Sequence, residues 1–448
     1  MTLTFSEARD FLKGLVDYER AVPRSYDKAT FGLERMRHLC DALGRPQLRY
    51  PTIQVGGTNG KGSVCAFAES ICRHAGLRIG LTTSPHLIGL RERIAIDGRF
   101  ADDDLFSEAV SRVAEAVLRL PDDERTTVTF FEAITASAFV AFALAEVDVG
   151  VVEVGLGGWF DATSVTQPRC VVVTSVGRDH QAFLGETVEE IAADKAHLIR
   201  DGVPVVLGCT EPALSIMLRR AEEQGCPAHV LGRDFGPVDS DLLAAPSEVQ
   251  TRNAACAIEA VRIALPEVGD KAVRDGLAGA RWPGRFQVLE AAPTVVLDCA
   301  MNPESAEELG RELSRRFPGA RIALVFGMSA DKRPALFMER LAAALSLALP
   351  QRGRELPAPA LGGRAGLGGE VPALTSIFAC SAATPRSLQS HDLAEALAPL
   401  GVPVTDAGPV AEALALAGPS GADVVCVTGS VYVVGEAMRA LGISPELS

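Results

Sequence analysis

The 448-residue sequence predicts an α/β protein of two domains, each built on a mostly parallel sheet. Three observations lead to this prediction. Short apolar runs alternate with stretches of helical spacing along most of the chain, as in parallel sheets with crossover helices. One run, Val147–Val154, is almost entirely valine, as expected of a central strand buried on both faces. Another run ends in a glycine-rich turn before a helix, which is the usual setting of a phosphate-binding loop.

The composition argues against several classes of protein. The formal net charge is −14, from 43 basic and 57 acidic side chains, which disfavours a general binder of nucleic acid or of anionic membranes. No apolar run is long enough to span a bilayer, and the first residues lack the features of a secretory signal. The ten cysteines form no C-x-x-C pair, so neither a zinc site nor a disulfide framework is indicated. We therefore expect a cytoplasmic protein and take a monomer as the starting expectation.

The first candidate site follows a predicted strand at 52–55 and precedes a helix predicted over 63–75. Its residues are Gly57, Thr58, Asn59, Gly60, Lys61, Gly62 and Ser63. Glycines let backbone N–H groups approach phosphate oxygens, and a helix N-terminus adds positive potential. Lys61 would reach the terminal phosphates. The common motif has glycine where this chain has Val55, and serine or threonine where it has Gly62. A plain glycine-rich turn with a surface lysine is therefore an alternative.

Three more polar side chains follow predicted parallel strands. Ser84 lies in the turn after strand 77–81, Glu153 lies near the end of the valine-rich strand, and His180 follows strand 170–176. Ligands of open α/β sheets bind at the carboxyl ends of the strands, so these side chains and the lysine should converge there. A buried carboxylate needs a cation, and for Glu153 we favour a metal over a salt bridge. An ordinary Ser-Pro turn is the alternative for Ser84.

The remaining elements complete the two sheets. Further helices are predicted over 5–16, 33–43, 102–118, 186–199, 248–265 and 303–317. Further strands are predicted over 91–96, 203–207, 294–297, 322–326 and 424–427. Thr129 with Glu132 three residues later fits a capping box at the start of another helix, which would explain both residues without any site. A linker near 281–286 divides the chain into predicted domains 1–287 and 288–448.

A longer series of motifs occurs along the chain from about Phe31 to the C-terminus. It consists of the glycine-rich turn, Thr83–Leu87, Thr129–Glu132, Glu153–Gly158, Asp161–Thr163, Asp179–His180, Lys195, Trp282–Arg285, Asp298, Gly327–Met328 and Thr428–Ser430. Together these motifs resemble the folylpolyglutamate synthase/dihydrofolate synthase family of the Mur ligase superfamily. The resemblance implies a larger P-loop ATPase domain with a mostly parallel sheet and a smaller Rossmann-like C-terminal α/β domain. Nucleotide and pterin substrate would bind between the two.

The resemblance also implies a role for each candidate residue, with ATP and Mg²⁺ as cofactors. The glycine-rich turn would hold phosphates, and further contacts to ATP would come from Asn253, Arg285 and Asp298. The ligands of magnesium would be Ser84, Glu153 and His180. The pterin pocket would be lined by Thr129, Phe130, Phe131, Glu132, Phe160, Asp161 and Ala162. Lys195 is similar to a lysine that is carbamylated in relatives, and Ser430 would lie near the incoming glutamate. The candidate catalytic residues are thus Lys61, Lys195, Asp298 and Ser430.

The implied reaction adds L-glutamate to dihydropteroate, to a folate, or to both, through an acyl phosphate made from ATP. Both steps place negative charge on oxygens, so Lys61, Mg²⁺ and loop N–H groups would supply most of the catalysis. Arg178 stands before Asp179 where the family has an apolar residue, and two further residues depart from its pattern, Trp159 in place of arginine and Met301 in place of histidine. They leave a ligase for a different acid and amine as one alternative. A catalytically weak paralogue that binds nucleotide or folate is another.

Overall fold

The computed structural model describes residues 2–19, 32–345 and 372–447. These residues form two compact units. One runs to Trp282 and includes Glu446 near the C-terminus, and the other is Pro283–Pro445. Among the residues described, no helix is both long enough and apolar enough to cross a membrane.

The larger unit contains an eight-stranded sheet. Its strands are β1 Thr52–Gly56, β2 Ile79–Thr82, β3 Ala95–Ile96, β4 Arg99–Phe100, β5 Val149–Glu153, β6 Pro168–Val173, β7 Val205–Leu207 and β8 Ala228–Val230. Their order is β4-β3-β2-β5-β1-β6-β7-β8. The six strands β2, β5, β1, β6, β7 and β8 are parallel, and the β2–β3 and β3–β4 pairs are antiparallel. Every residue of β1, β2 and β5 is buried, as expected for parallel strands covered on both faces.

Helices cover both faces of this sheet. The α-helices are Phe5–Lys13, Leu33–Ala42, Lys61–His74, Asp103–Val117, Asp122–Arg125, Phe130–Leu144, Gln181–Leu184, Val188–Lys195, Ala213–Glu223, Glu248–Ala264 and Asp270–Gly279. Short 3-10 helices lie at Pro46–Leu48, Leu90–Arg93, Ala162–Val165, Ala196–Leu198 and Ser240–Leu242. Successive residues of β5 face opposite sides: Val151 packs in one core with Ile53, and Val152 packs in another with Phe139.

The smaller unit contains a six-stranded sheet. Its strands are β9 Gln287–Leu289, β10 Thr294–Leu297, β11 Arg321–Phe326, β12 Ala373–Ser381, β13 Val404–Pro409 and β14 Val424–Thr428. Their order is β13-β12-β11-β14-β10-β9, with β9 antiparallel at one edge. The helices are Pro303–Arg316, Pro334–Ala344, Ser390–Leu397, Val410–Ala417 and Val431–Ala440, with 3-10 turns at Ala398–Leu400 and Gly418–Ser420. The predicted α/β class with mostly parallel sheets is confirmed in both units.

One predicted strand is wrong in type. Residues 91–96 were expected to be extended, but the chain forms the 3-10 helix Leu90–Arg93 and only then the two-residue β3. The cause is Glu92, whose carboxylate accepts hydrogen bonds from the N–H groups of Leu87 and Ile88, both at 2.7 Å, and from Gly89. A side chain that satisfies successive backbone donors favours a turn over a strand.

Candidate functional site

Four of the predicted site residues lie at the carboxyl ends of four neighbouring strands. Lys61 follows β1, Ser84 follows β2, Glu153 is the last residue of β5, and His180 comes after β6. Because β2, β5, β1 and β6 are adjacent and parallel, these strands end at one edge of the sheet. In open α/β sheets this edge is where ligands bind.

Two glycines shape the phosphate-binding turn. Gly57 has a φ of 138° and Gly60 a φ of 87°, values that L side chains rarely adopt. A Cβ on Gly60 would lie 2.5 Å from Asn253 Oδ1, so the turn packs directly against the helix Glu248–Ala264. The helix Lys61–His74 begins immediately after Gly60. Its first N–H groups have no partner within the helix, which makes this end suited to an anion.

Neighbouring side chains brace the start of that helix. Gln250 Nε2 donates to Ser63 Oγ at 3.2 Å, and Asn253 Nδ2 donates to Gln250 Oε1 at 3.3 Å. A Cβ on Gly62 would lie 2.7 Å from the ring of Trp282, so the indole packs on the first helical turn. Asn253, expected to contact ATP, is therefore beside the phosphate-binding turn.

Two lysines share one backbone acceptor in this turn. Lys61 Nζ lies 3.3 Å from Gly57 O and 3.2 Å from Thr58 O, and Lys195 Nζ lies 2.9 Å from Gly57 O. Lys195 is buried. Burial, and then the positive charge of Lys61, lower the pKa of Lys195 to about 8. Three carboxylates oppose this shift: Asp194, Asp179 and Asp161. A substantial fraction of the Lys195 amine is therefore neutral near pH 8.

The candidate metal ligands include one pair in direct contact. Ser84 N donates to Glu153 Oε2 at 2.9 Å, and Glu153 is buried. His180 has a left-handed backbone (φ 51°), and its Nε2 lies 4.0 Å from Asp179 Oδ2. No group of three or more His, Cys, Asp or Glu side chains placed to hold a metal occurs in ranges 2–19, 32–345 and 372–447. Mg²⁺ needs no such cage, because it is usually bound by one or two carboxylates, substrate phosphates and water. The carboxylate and hydroxyl of this pair fit that donor set.

On the predicted pterin side, Thr129 and Glu132 form the capping box. Thr129 N and Oγ1 each donate to Glu132 Oε2 at 2.8 Å, and Glu132 N donates back to Thr129 Oγ1 at 3.1 Å. Arg35 Nε contacts both oxygens of Glu132, at 3.0 and 2.9 Å. A Cβ on Gly155 would lie 2.4 Å from the ring of Phe131, so that ring covers the start of the loop after β5.

Asp161 organises the loop after β5. Its carboxylate accepts four hydrogen bonds, from Gly155 N and Leu156 N at 2.9 Å, from Thr163 N at 3.0 Å and from Thr163 Oγ1 at 2.5 Å. Burial raises the pKa of Asp161, and these hydrogen bonds oppose the rise. A buried carboxylate is tolerated when donors surround it in this way. Asp161 therefore stabilises the conformation of this loop, in addition to its predicted role in lining the pterin pocket.

Aromatic side chains lie along the same loop. Trp159 is 53% exposed, and its ring stacks on His197 with centroids 3.9 Å apart. Phe160 stacks on Trp159 with centroids 5.4 Å apart. Phe130 and Ala162, by contrast, are buried in the core that includes the helix from residue 130. Within the predicted pterin set, Phe131 of the helix and Phe160 of the loop are both half-buried, and the exposed Trp159 lies next to Phe160.

In the smaller unit, Asp298 lies directly after β10. Its Oδ2 accepts from Phe286 N and its Oδ1 from Ala300 N, both at 2.8 Å. Burial raises the pKa of Asp298, and the positive charge of Arg285 opposes the rise. Arg285 and Asp298, both predicted to contact ATP, therefore lie close enough for their charges to attract each other.

Ser430 and Met301 each lie at the start of a helix in this unit. Ser430 is the N-cap of Val431–Ala440, where its side chain accepts a hydrogen bond from the N–H of Tyr432. Met301 precedes the helix Pro303–Arg316, and its backbone N–H donates to Ser305 Oγ at 3.0 Å. The thioether of methionine has no proton to transfer.

Three polar residues at the larger unit's site were missed from the sequence: Arg35, Gln54 and Arg200. Arg35 pairs with Glu132, and the signal was available, because a carboxylate near the start of an otherwise apolar helix calls for a cation. Gln54 interrupts an apolar strand buried on both faces, which is also a recognisable sign. Arg200 gave no sequence signal, since its partners lie far away along the chain.

Comparison with known proteins found similar family models, sequences and structures. The matching family models are the Mur ligase middle domain, over residues 55–266, and the Mur ligase glutamate ligase domain, over 284–351. A dihydrofolate synthase/folylpolyglutamate synthase of Bacillus subtilis is 36% identical over 336 residues, covering 69% of this chain and 78% of the relative. Escherichia coli FolC in complex with DHPP and ADP superposes with a TM-score of 0.81 at 27% identity, covering 98% of both chains. The bifunctional folylpolyglutamate synthase/dihydrofolate synthase of Yersinia pestis, complexed with AMPPNP and a Mn ion, superposes with a TM-score of 0.80 at 26% identity over 99% of both.

Proposed function

The chain belongs to the dihydrofolate synthase/folylpolyglutamate synthase family of Mur ligases and is a ligase, and we propose that it joins L-glutamate to dihydropteroate, to a folate, or to both, at the expense of ATP. The observation that carries the proposal is the cluster at the strand ends. Lys61 and Lys195 meet at the carbonyl of Gly57, and Ser84 and Glu153 are paired at the ends of β2 and β5, the next two strands along the same edge. Such a cluster suits phosphoryl transfer, which depends on positioning and on stabilising negative charge.

Nucleotide and metal would occupy this strand-end cluster. The ADP and AMPPNP bound by the solved relatives support ATP as the co-substrate, and the Mn ion of the Yersinia protein supports a divalent metal. We assign the phosphates to the turn 57–63 and the metal, as Mg²⁺, to Ser84, Glu153 and His180. When bound, Mg²⁺ would neutralise charge on the phosphate oxygens and orient the terminal phosphate. Further predicted contacts to ATP remain Asn253, Arg285 and Asp298.

In the first step an oxygen of the substrate carboxylate attacks the γ-phosphorus of ATP. The bond between the γ-phosphorus and the bridging oxygen breaks, which gives an acyl phosphate and ADP. Negative charge spreads over the phosphoryl oxygens during this step. The ammonium group of Lys61 and the N–H groups at the start of the helix Lys61–His74 would stabilise that charge.

In the second step the amine of L-glutamate attacks the acyl carbon. The bond from carbon to the phosphate oxygen breaks, phosphate leaves, and the amine loses a proton to solvent or to the departing phosphate. No protein nucleophile is needed. The predicted pterin pocket, formed around Thr129–Glu132 and Phe160–Ala162, would hold the acid in place, and Ser430 would lie near the amine.

We also propose that Lys195 is carbamylated. A carbamate forms when a neutral amine attacks CO₂ and then releases a proton, so it requires an amine whose pKa is depressed. The pKa of Lys195, lowered to about 8 by burial and by Lys61, supports this chemistry. The product would carry a negative charge beside Lys61 and would turn a repulsive pair into an attractive one. Growth of a carbamate signal in ¹³C NMR after addition of ¹³C-bicarbonate, absent in Lys195→Met, tests this.

The reaction is tested by phosphate release from ATP with purified full-length protein. Dihydropteroate, tetrahydrofolate and L-glutamate are supplied singly and in pairs. Release that needs both a pterin acid and glutamate supports the proposal. Release only with other acids would support the alternative suggested by Trp159 and Met301. Retained ATP binding without release would support a nucleotide-binding paralogue.

We further propose a domain division and an oligomeric state for the enzyme. Residues 1–287 would form the ATP-binding domain and residues 288–448 the ligase domain. The enzyme would act as a monomer, with small-molecule substrates and without nucleic-acid or membrane partners.

A further inference from the structure

A buried polar network joins strand β1 to the loop that follows β5. Gln54, in the middle of β1, is completely buried. Both ends of its amide are used: Nε2 donates to Thr163 Oγ1 at 2.9 Å, and Oε1 accepts from Arg200 Nη2. Burying an amide is costly unless its donors and acceptors are paired. The two partners therefore determine whether Gln54 is tolerated in this strand.

The network continues from Thr163 to the backbone of the loop. Thr163 Oγ1 donates to Asp161 Oδ1, and Asp161 Oδ2 accepts from the N–H groups of Gly155 and Leu156 at 2.9 Å. An unbroken chain of hydrogen bonds thus runs from β1 to the first residues of the loop 155–161. Because the hydroxyl of Thr163 donates to Asp161, it is left to accept from Gln54, which fixes the orientation of that amide.

Arg200 connects a third segment of the chain to this network. It lies five residues beyond Lys195, just after the 3-10 helix Ala196–Leu198. Its Nη1 donates to the carbonyl of Ser164 at 3.1 Å and to that of Thr166 at 2.6 Å. Burial lowers the pKa of Arg200 to about 10, and the charge of Asp161 opposes the shift, so the guanidinium stays charged at neutral pH.

We infer that Gln54 and Arg200 are positioning residues for the acid substrate. They hold Thr163 and Asp161, and through them the loop 155–161, in the geometry that the acid requires. The inference rests on the proposed function, because it is there that the end of this loop is assigned to the pterin pocket. It adds two residues whose side-chain hydrogen bonds, within the described part of the chain, go to each other, to Thr163 and to the carbonyls of Ser164 and Thr166.

The phosphate-binding turn does not depend on this network. Thr58 N donates to Ser175 O at 2.7 Å and Asn59 N donates to Ser175 Oγ at 2.9 Å, so the turn is held by the segment after β6. The backbone of Gln54 pairs with Val152 and Val171 whatever its side chain. Loss of the amide should therefore affect the acid substrate and leave ATP largely unaffected.

The decisive variant is Gln54→Met, which keeps the volume and removes both hydrogen bonds. We expect the KM for the pterin acid to rise about tenfold or more, as for loss of a buried hydrogen-bond pair, with the KM for ATP within about twofold of wild type. Amide hydrogen exchange at Gly155 and Leu156 should become faster. An unchanged acid KM in an active protein, or a KM for ATP that rises equally, would overturn the inference.

The exchange measurement separates this inference from the proposed function. If the wild-type protein releases no phosphate with any pterin acid, the proposed function fails, and the exchange at Gly155 and Leu156 still tests the network. If the wild-type protein is active and Gln54→Met changes neither exchange nor acid KM, only the network inference fails.

Thr52→Val is the matched control in the same strand. Thr52 is buried, and in the part of the chain that the structure describes its Oγ1 has no hydrogen-bond partner. Removing this hydroxyl should leave both KM values and the loop exchange unchanged. A rise in acid KM like that of Gln54→Met would show that any substitution in β1 disturbs the site, and would overturn the inference.

The double variant Gln54→Met/Arg200→Met distinguishes positioning from stability. Replacing both partners removes the unpaired Gln54 or Arg200 atoms that each single variant leaves buried, while the carbonyls of Ser164 and Thr166 still lose their donor, so the thermal midpoint should recover only in part relative to Arg200→Met. The double variant still lacks the hydrogen bonds that position the loop 155–161, so the KM for the pterin acid should stay high. Recovery of the acid KM together with the midpoint would assign Gln54 and Arg200 to stability alone.

Discussion

Lys195 and Asp161 are two buried charges that are compensated in opposite ways. Each is 5% exposed. Asp161 accepts four hydrogen bonds, from Gly155, Leu156 and Thr163, and these oppose the rise in its pKa that burial causes. Lys195 donates to the Gly57 carbonyl, which Lys61 also contacts, and the charge of Lys61 helps to depress its pKa. A group kept in an unfavourable state is more readily explained by function than by stability. The comparison separates a carboxylate that builds the site from a lysine that is available for its chemistry.

The largest effect should come from Lys61→Ala, which removes the proposed phosphoryl contact. We expect turnover to fall by about 10²–10³, as for loss of a group that stabilises transition-state charge. Because the Lys61 charge lowers the pKa of Lys195, that pKa should also rise toward its usual value. Steady-state kinetics and ¹³C NMR of labelled lysines measure the two effects. Lys271→Ala, at a lysine whose side chain is 84% exposed, is the control. Near-normal turnover would remove Lys61 from the mechanism.

Lys195→Met should lower turnover by less than Lys61→Ala does and yet stabilise the fold, which tests the comparison most directly. The folded pKa, about 8, is below the usual 10.5, so the protonated amine costs the native state free energy below pH 8. In bicarbonate-free buffer at pH 7 the variant should gain on the order of 1–3 kcal/mol in free energy of unfolding. The gain should shrink as the pH rises from 8 to 10.5. Urea unfolding at several pH values tests this, and a loss of stability at pH 7 would contradict the description of Lys195.

Glu153→Gln tests a third buried charged group. Like Asp161 it accepts a backbone hydrogen bond, and like Lys195 it is proposed to take part in the chemistry of the site. Its oxygen still accepts from Ser84 N, so the fold should be nearly intact, but the charge proposed to hold Mg²⁺ is lost. The Mg²⁺ concentration for half-maximal turnover should rise roughly ten- to hundredfold, by analogy with other losses at metal sites. Turnover with the wild-type metal dependence would make Glu153 a structural carboxylate like Asp161.

Asp161→Asn should give the smallest change in turnover of these variants, together with a rise in the KM for the pterin acid, because Asp161 holds the loop 155–161, and a clear loss of stability. The amide presents N–H groups to donors that need an acceptor, so we expect a loss of about 1–3 kcal/mol in free energy of unfolding. Asp239→Asn is the matched control, since Asp239 accepts a similar hydrogen bond, from Asp241 N at 3.1 Å, at an exposed position. Equal losses for both variants would show that burial does not matter to the role of Asp161.

The strands at the candidate site were accessible from the sequence because continuous apolar runs indicate burial on both faces, whereas their order in the sheet was not predicted. Val147–Val154 was recognisable as a central strand, and Glu153 stood out because it ends that strand with a charge. The Thr129–Glu132 capping box was recognisable for the same local reason. All of these signals lie within a few neighbouring residues.

The partners of the buried charges were not accessible, because those partners are distant in the chain. Nothing near Lys195 in the sequence reveals that its amine meets Gly57, which is 138 positions away. Arg200 reaches Gln54 across 146 positions, and Arg35 reaches Glu132 across 97. The error at 91–96 has a different cause, since a single carboxylate at Glu92 there overrides the strand propensity of its neighbours.

The packing of Trp282 on Gly62 gives the protein an optical reporter of its own. The chain has two tryptophans, and one of them lies against the first turn of the helix that follows the phosphate-binding glycines. Indole fluorescence responds to changes in its immediate surroundings, so nucleotide titrations can be followed without a label. Replacing Trp159 with phenylalanine would leave Trp282 as the sole tryptophan of the chain.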